Sequence, residues 1–317
     1  MKNRIAIVGT LCALIALIFS SGQVIESARS ALSVCARVIL PSLFPFFVIS
    51  ILLGKLGLPI RLGRVLAPLA GKLFGVSGEG ASALLIGLTG GYPLGASYIA
   101  DMVADGSVSP DEGERLLVFC NNSGPAFLIG AVGVGVFGSS GAGLLLYGAH
   151  MGAALLAGLL FRRGAVANED GKPVRVLPFS TAFPEAVRQA VSSTLAVCGF
   201  VVCFTVLVGL LDAHGLFSQI SGWLSSASGL EMHAARALLT GFWEIGSAAG
   251  AMQGLTATPE NLALAAAILG WGGLSVHCQT LAVLADSELH TSRHFLGRVL
   301  SACLSALLAW AGAHLLF

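Results

Sequence analysis

Four interruptions of strongly apolar segments carry most of the polar side chains that could bind a ligand. Residues 88–95 read Leu-Thr-Gly-Gly-Tyr-Pro-Leu-Gly, and residues 239–246 repeat the pattern as Leu-Thr-Gly-Phe-Trp-Glu-Ile-Gly. The other two interruptions are Asn-Asn-Ser-Gly-Pro at 121–125 and Gly-Trp-Gly-Gly at 270–273. Irregular backbone inside a bilayer is tolerated only where it is buried in protein or lines a wet cavity. We therefore expect the four interruptions to converge on one site.

The candidate binding residues lie in or next to these interruptions. Exposed amides at broken helix ends bind anionic or polar groups, and freed carbonyls suit a cation. Hydroxyl and amide side chains add neutral donors and acceptors, and the aromatic rings offer flat surfaces for stacking. Glycines and hydroxyls also permit close helix packing, which is the structural alternative for each single residue. The candidate substrate-binding residues are Thr89, Tyr92, Asn121, Asn122, Ser123, Thr240, Trp243, Glu244, Trp271, His277 and Gln279.

Glu244 is the most distinctive of these residues because it is a carboxylate in the middle of an apolar segment. A charge there costs roughly 2–3 kcal/mol or more unless it is paired or hydrated. We expect Glu244 to bind a coupling ion, carry a proton or hold a substrate donor; the alternative is a glutamate at a water-facing break. The adjacent amides of Asn121 and Asn122 are also costly to bury, because a polar group removed from water needs a hydrogen-bond partner. Asp101 and Asp105 are expected near an interface and are weaker candidates.

No pattern in the sequence indicates catalysis, a cofactor or a metal site. A nucleophile elbow, a P-loop, an HExxH motif and paired catalytic carboxylates are all absent, and the seven cysteines lack CxxC or Cys/His ligand spacing. We predict that the protein is not an enzyme, with an intramembrane hydrolase left open, and that it has no cofactor or metal. A net charge of +1 without a basic, aromatic-interleaved patch excludes nucleic acid.

The composition requires a membrane environment. The residues are 56% hydrophobic and only 10% charged, whereas a soluble domain carries about 25% charged residues. Residues 116–161 contain no Asp, Glu, Lys or Arg, enough for about two spans of ~20 residues. Several such runs predict one all-α polytopic membrane domain.

Matching elements recur in the same order in the two halves of the chain. The sequence Glu-Ser-Ala-Arg at 26–29 precedes the first span as Glu-Ala-Val-Arg at 185–188 precedes its counterpart, and Ser-Pro-Asp-Glu at 109–112 matches Thr-Pro-Glu at 258–260. The predicted organisation is an N-terminal transmembrane segment at 1–22, a first repeat at 23–161, a cytoplasmic linker at 162–184 and a second repeat at 185–317. Residues 1–22 are interpreted as a signal anchor, with a cleaved signal peptide as the alternative. Residues 59–78 predict an interfacial amphipathic helix or one arm of the first hairpin.

The basic residues predict the topology. We expect residues 81–103 and 233–252 to dip into the membrane and return, because each has a central break. The two repeats are then inverted, and the N-terminus is cytoplasmic. The basic residues that fall on the cytoplasmic side are Lys2, Arg4, Lys55, Arg61, Arg64, Lys72, Arg115, Arg162, Arg163, Lys172, Arg175, Arg188, Arg293 and Arg298. Those that fall outside are Arg29, Arg37 and Arg236.

Three motifs carry a family resemblance. Leu-Pro-Ser-Leu-Phe-Pro-Phe at 40–46, Gly-Gly-Tyr-Pro-Leu-Gly-Ala at 90–96 and Phe-Cys-Asn-Asn-Ser-Gly-Pro-Ala-Phe at 119–127 resemble the bacterial sporulation integral membrane proteins of the YlbJ type. These belong to the nucleoside-recognition, or Gate, domain families. The resemblance implies an inner-membrane protein related in its Gate segments to concentrative nucleoside transporters and to the membrane part of ferrous-iron transporters. The second half has Trp-Gly-Gly-Leu at 271–274 in place of the Asn-Asn-Ser-Gly-Pro motif, so no residue role is transferred.

The resulting interpretation is a multi-pass protein of the cytoplasmic membrane that binds or transports a small polar solute, nucleoside-like by resemblance and connected with sporulation. A coupling ion, H⁺ or Na⁺, is a further expected partner besides the lipid bilayer, and an oligomer is left open. The alternative is a non-transporting scaffold of the spore-forming membrane, in which the glycines serve packing alone.

Overall fold

The computed structural model describes residues 2–163 and 176–316, and all the regular secondary structure in these residues is helical. A π-helical turn, Cys35–Ile39, interrupts the helical stretch Ser21–Lys55, and the helix Ala126–Val134 is π-helical throughout. The helices are α1 (Lys2–Phe19), α2 (Ser21–Lys55), α3 (Leu58–Phe74), α4 (Gly80–Thr89), α5 (Leu94–Ala104), α6 (Pro110–Phe119), α7 (Ala126–Val134), α8 (Ser140–Leu160), α9 (Phe179–Ala213), α10 (Leu216–Ser228), α11 (Met232–Trp243), α12 (Ile245–Ala251), α13 (Pro259–Trp271), α14 (Gly273–Val283) and α15 (Ser292–Leu316).

Five helical stretches of the described chain are long and apolar enough to cross a membrane, judged by length and composition. They are Ser21–Lys55, Ser140–Leu160, Phe179–Ala213, Pro259–Val283 and Ser292–Leu316. Many of their large apolar side chains point outward, Leu195 and Leu307 among them. An outward-facing apolar surface of this kind suits lipid rather than water. The prediction of an all-α polytopic membrane protein is confirmed.

Both predicted hairpins enter the protein and return to the end at which they started. In the first hairpin, α4 and α5 lie side by side, and Ser82 Oγ is 3.0 Å from Tyr98 Oη. In the second, the outer ends of α11 and α12 meet, since His233 Nε2 lies 2.8 Å from the Ala251 carbonyl oxygen. Neither hairpin crosses the fold, which agrees with the re-entrant interpretation of the two central breaks.

The two hairpins enter from opposite ends of the molecule. At one end, Lys55 at the end of α2 forms an ion pair of 3.2 Å with Glu185 near the start of α9. At the other end, Asp212 at the end of α9 pairs with Arg236 on the second hairpin. We call these the Lys55 end and the Asp212 end. The first hairpin opens at the Lys55 end. Asp105, which follows α5 at the open end of this hairpin, borders the same cavity as Lys55. The two halves are therefore inverted, as predicted.

Each half also contains a helix that breaks at mid-depth. In the first half α6 stops at Phe119 and the chain resumes as α7, and in the second α13 gives way to α14 at Gly272. Both paths begin with a hydroxyl side chain that caps the first helix. Ser109 Oγ accepts the Glu112 N–H at 3.3 Å, and Thr258 Oγ1 accepts the Asn261 N–H at 3.2 Å. Proline occupies the first helical position after each cap, where no N–H is needed.

Three boundaries refine the predicted organisation. Residues 164–175 of the predicted linker lie outside the described residues, while α9 already begins at Phe179, within the range predicted as linker. Helix α3 precedes the first hairpin and is separate from both of its arms, and it packs on α4. The choice left open for residues 59–78 thus resolves in favour of an amphipathic helix beside the hairpin.

Candidate functional site

The four interruptions meet at the centre of the molecule. A Cβ atom placed on Gly91 would lie 3.1 Å from the Gly124 nitrogen, so the first hairpin tip touches the break after α6. A Cβ atom on Gly272 would lie 3.3 Å from Tyr92 Oη. One placed on Gly273 would lie 3.3 Å from Glu244 Cα. The first hairpin tip therefore contacts both broken helices, and the second broken helix also contacts the second tip.

A small cavity lies between the two tips. Tyr92 and Ser123 of the first half and Glu244 and Gln279 of the second provide its main polar groups. Its apolar lining comes from Ile39, Leu43, Phe127, Val197, Val201, Ile245 and Val276. About 30 Å³ is open to the centre of a water molecule, which is room for one or two waters. In this conformation the cavity is too small for a nucleoside.

Both π-helical segments of the first half border this cavity. Ile39 is the last residue of the turn Cys35–Ile39, and Phe127 lies in α7. A π-helical turn inserts one residue into the α-helical register and redirects the side chains that follow. Such turns occur frequently at functional sites. Their position here agrees with a site at the centre of the protein.

Glu244 is placed by the helix that it begins. Its backbone is extended, with φ −153° and ψ 123°, and its carboxylate accepts the backbone N–H groups of Gly246, at 2.8 Å, and of Ser247. The side chain caps α12 and is only 1% exposed. Within residues 2–163 and 176–316 it has no ion-pair partner. It therefore presents a buried acceptor to the cavity while it holds the hairpin tip in shape.

Arg298 organises the opposite side of the site, and the sequence-based topology placed it wrongly. It was expected in a cytoplasmic basic segment, but it is fully buried. Its Nη1 donates to Tyr92 Oη at 2.7 Å, and its Nη2 donates to the Val118 carbonyl oxygen at 3.0 Å and to Asn122 Oδ1 at 3.3 Å. The last helix of the second half thus holds the broken backbone of the first.

The motif at 121–125 is used mainly for structure. Asn121 Nδ2 donates to Thr280 Oγ1 at 3.0 Å, and this bond links the two halves. Asn122 Nδ2 donates to the Phe119 carbonyl oxygen at 2.6 Å, at the end of the broken helix. The Ser123 N–H donates to His150 Nε2 at 3.1 Å. Of Asn121, Asn122 and Ser123, only Ser123 borders the cavity.

Four candidates lie away from the cavity. Thr89 Oγ1 donates to the Leu85 carbonyl oxygen at 2.7 Å and Thr240 Oγ1 donates to that of Arg236 at 2.8 Å, each within its own helix. Intrahelical bonds of this kind satisfy the hydroxyl locally. Trp243 and Trp271 are half-buried and pack with Phe242, and Trp271 Nε1 donates to the Phe242 carbonyl oxygen at 3.1 Å. The structure does not bring these four side chains to the cavity.

His277 is buried beside the site rather than in it. Its ring lies 4.3 Å from the Trp271 ring and 4.6 Å from the Phe295 ring, centroid to centroid. Neither ring nitrogen has a hydrogen-bond partner in the described chain. Gln279, two residues on, does border the cavity, and its Nε2 donates to Ser275 Oγ at 3.3 Å. The described residues contain no group of three or more His, Cys, Asp or Glu side chains that could hold a metal.

The sequence has a close counterpart among curated proteins. Sporulation integral membrane protein YlbJ of Bacillus subtilis (strain 168) is 29% identical over 308 residues, which cover 89% of this chain and 75% of YlbJ. This similarity confirms the YlbJ-type resemblance. No protein-family model matches the chain, so the Gate-domain assignment stays a prediction.

Solved structures of CNTnw, a concentrative nucleoside transporter, share the fold. The inward-facing, substrate-bound state aligns with a TM-score of 0.56 at 15% identity, covering 97% of this chain and 84% of CNTnw. An outward-facing state of a doubly substituted form aligns with a TM-score of 0.55 at 16% identity, covering 99% and 85%. At such low identity the likeness shows the fold alone. The chain is a multi-pass membrane protein with this helical arrangement.

Proposed function

We propose that this protein binds a small polar solute of the nucleoside type in the central cavity and carries it across the membrane. The observation that carries the proposal is the position of the cavity, between two re-entrant hairpin tips that enter from opposite ends. Transporters built from inverted repeats place their substrate site near the bilayer midplane, at discontinuous helices. The fold shared with a nucleoside transporter supports the choice of solute.

The lining groups suit a hydroxylated ring compound. The Glu244 carboxylate accepts hydrogen bonds from hydroxyl groups of the solute, and the Gln279 amide both donates and accepts. Tyr92 offers a ring face for stacking, and Ser123 adds a hydroxyl. The apolar wall between these groups covers the uncharged faces of the solute. Most ligand sites combine a largely apolar wall with a few polar groups in this way.

Binding requires the cavity to widen. With about 30 Å³ open to a water centre, a nucleoside can enter only if a hairpin tip moves outward. The tips differ in how they are held: the first is held by the bond from Arg298 to Tyr92, and the second by the capped turn at Glu244. We propose that alternate displacement of the two tips opens the cavity first to one end and then to the other.

A transporter also needs an orientation in the membrane and a driving force. We propose that the N-terminus and the Lys55 end face the cytoplasm and that an H⁺ or Na⁺ gradient drives the solute. The similarity to YlbJ supports a role in sporulation. No catalytic activity is assigned, and the proposal requires no oligomer.

Gln279→Leu tests the site with little disturbance of the fold. The change removes an amide that borders the cavity and donates one long hydrogen bond, of 3.3 Å, to Ser275. Leucine nearly keeps the volume and shape of the side chain. We expect uridine, adenosine or inosine to stabilise the wild-type protein against heat, and the variant to bind the same nucleoside about tenfold or more weakly. Thermal unfolding in detergent and uptake into proteoliposomes measure the two effects. Gln219→Leu, at an exposed glutamine of α10, is the matched control.

Two outcomes contradict the proposal. Equal nucleoside binding by wild type and Gln279→Leu would place the solute outside the central cavity. Absence of stabilisation by any of the nucleosides, together with full sporulation of cells that carry Gln279→Leu, would favour the alternative of a membrane scaffold. That alternative has its own structural support, because Asn121, Asn122 and Glu244 all have partners within the protein.

A further inference from the structure

A second, larger cavity opens at the Lys55 end of the molecule. It lies where α2, the first hairpin and α9 meet, and about 180 Å³ is open to the centre of a water molecule. Its apolar floor includes Ile86 and Leu94, which flank the tip of the first hairpin. The central cavity lies on the other side of that tip, at Tyr92. The second cavity therefore has its own walls and its own opening.

The rim of this cavity carries excess negative charge. Asp101 lies in the last turn of α5, Asp105 follows directly after that helix, and both border the cavity. The Asp101 side chain has no ion pair or hydrogen bond with the described residues, and Asp105 Oδ1 accepts only the Ser107 N–H, at 2.9 Å. Lys55 also borders the cavity, but its charge is balanced by Glu185 at 3.2 Å. Lys55 also attracts the Asp101 carboxylate, but it is one ammonium beside three carboxylates, Asp101, Asp105 and Glu185, so the rim keeps a negative excess.

An unsatisfied hydroxyl faces the same space. Ser50 on α2 is only 6% exposed, borders the cavity and has no hydrogen-bond partner in the described part of the chain. Ser97 and Gln189, on two other walls, are half-buried and also border it. Buried polar groups in proteins almost always have a partner. The buried Ser50 hydroxyl without a partner, together with the two carboxylates of the same cavity, points to a ligand that supplies hydrogen-bond donors.

We propose that this cavity binds a small organic cation, a protonated primary amine with a short apolar body. The ammonium group donates to Asp101 and Ser50, and the alkyl part lies on Ile86 and Leu94. A bare metal ion suits the site poorly, because such ions prefer a shell of oxygen ligands and the floor is apolar. The site is separate from the central cavity, so the proposal stands or falls independently of nucleoside transport.

Charge-selective labelling at the buried serine tests the proposal in the full-length protein. In a background with the seven native cysteines replaced, Ser50→Cys is treated with the cationic 2-aminoethyl and the anionic 2-sulfonatoethyl methanethiosulfonates. Each rate is divided by the rate with 2-mercaptoethanol. We expect the cation to react about tenfold faster or more, because a cleft with an excess of negative charge concentrates cations. Butylammonium should slow the labelling, and its uncharged analogue butan-1-ol at equal concentration should not.

Variants of the rim connect this preference to the proposed residues. Asp101→Asn combined with Asp105→Asn should remove most of the cation preference and the protection by butylammonium. Asp286→Asn, at an exposed aspartate in the loop before α15, is the matched control and should change neither. Equal normalised rates for the two reagents, protection by butan-1-ol as strong as by butylammonium, or no labelling at all would each overturn the proposal.

Discussion

Glu244 shows how one side chain can serve both structure and binding. The sequence predicts a costly carboxylate in apolar surroundings, and the structure shows how part of that cost is offset. Two backbone N–H groups at the start of α12 donate to the carboxylate, and hydrogen bonds to a charged acceptor are stronger than neutral ones. The lone pairs of the carboxylate that these two bonds leave free can accept hydrogen bonds from a solute in the cavity. Substitution of Glu244 should therefore change both the hairpin and solute binding.

Glu244→Gln is expected to lower stability as well as activity. A glutamine amide accepts through its oxygen only, so one of the N–H groups of Gly246 and Ser247 loses its acceptor or faces another donor. A buried unsatisfied donor costs about 1–3 kcal/mol. Thermal unfolding in detergent should show a lower midpoint, and nucleoside binding should weaken. Glu244→Asp keeps the charge and a good capping type and should retain part of both.

The control for this prediction lies on the same hairpin. Glu231→Gln makes the same chemical change at an exposed carboxylate before α11 that forms no capping bond. Its midpoint and its solute binding should match those of the wild type. If Glu244→Gln unfolds at the wild-type temperature, the capping role is wrong. If the variant is destabilised but binds solute normally, Glu244 is a structural residue alone.

Arg298 is the residue whose position the sequence predicted wrongly. The charge-asymmetry argument counts every arginine near a helix end as part of a loop, and Arg298 is the seventh residue of α15. Its burial becomes evident only when Tyr92 and Asn122 of the other half, 206 and 176 positions earlier, are placed beside it. A usable signal existed, because ionisable residues inside apolar helices usually face the protein interior. Partners so distant in sequence could not be inferred.

At the level of elements, the close approach of two backbones explains why residue 95 must be a glycine, which the sequence motif alone does not show. Gly95, in the first turn of α5, packs so tightly on the break after α6 that a Cβ atom there would overlap the Cys120 carbonyl oxygen. A side chain would push the hairpin away from the broken helix. The contact thus depends on the absence of a Cβ rather than on backbone flexibility.

Gly95→Ala should destabilise the first hairpin. Overpacking a tight contact typically costs about 1–3 kcal/mol and sometimes more, so the unfolding midpoint in detergent should fall clearly and nucleoside binding should be lost. The matched control is Gly148→Ala on α8, where a Cβ atom meets nothing within 4 Å. Alanine there should be neutral or stabilising because of its higher helix propensity. Equal midpoints for the two variants would show that the close contact does not exist in solution.

Prediction from sequence succeeded for the existence of the hairpins and failed for their exact turning points. The motifs located each break only to within eight residues, and in the first of them Gly90 has an ordinary helical φ of −77° while the left-handed residue is Gly91, with φ +80°. In the second hairpin Gly241 is helical and lies against Ile268, and the extended residue is Glu244. Repeated glycines indicate where a chain can break. Which peptide actually turns depends on the neighbouring segments that pack there.

At the scale of the whole molecule, inverted repeats place the two ends in different compartments. Most basic residues lie at or near the Lys55 end. Those in the described chain include Arg61, Arg64, Arg115, Arg162, Arg163 and Arg293. Asp111, at the start of α6, binds three of them, and the hydrogen bond from Arg293 is the main reason why its pKa is lowered. Cytoplasmic loops carry an excess of Lys and Arg, so the Lys55 end is expected inside.

Labelling of single cysteines from outside the cell tests this orientation. In a cysteine-free background we expect a membrane-impermeant maleimide to label Ser228→Cys, at the end of α10 near the Asp212 end, in intact cells. Arg163→Cys, which lies beside Asp111, should react only after permeabilisation, and Arg64→Cys on α3 should behave likewise. The reverse pattern would keep the fold but invert the protein in the membrane. If positions 163 and 228 were labelled from the same side, the long helices could not carry the chain between opposite faces. The hairpins would then have to be full crossings, and the central cavity could not lie between two inverted tips.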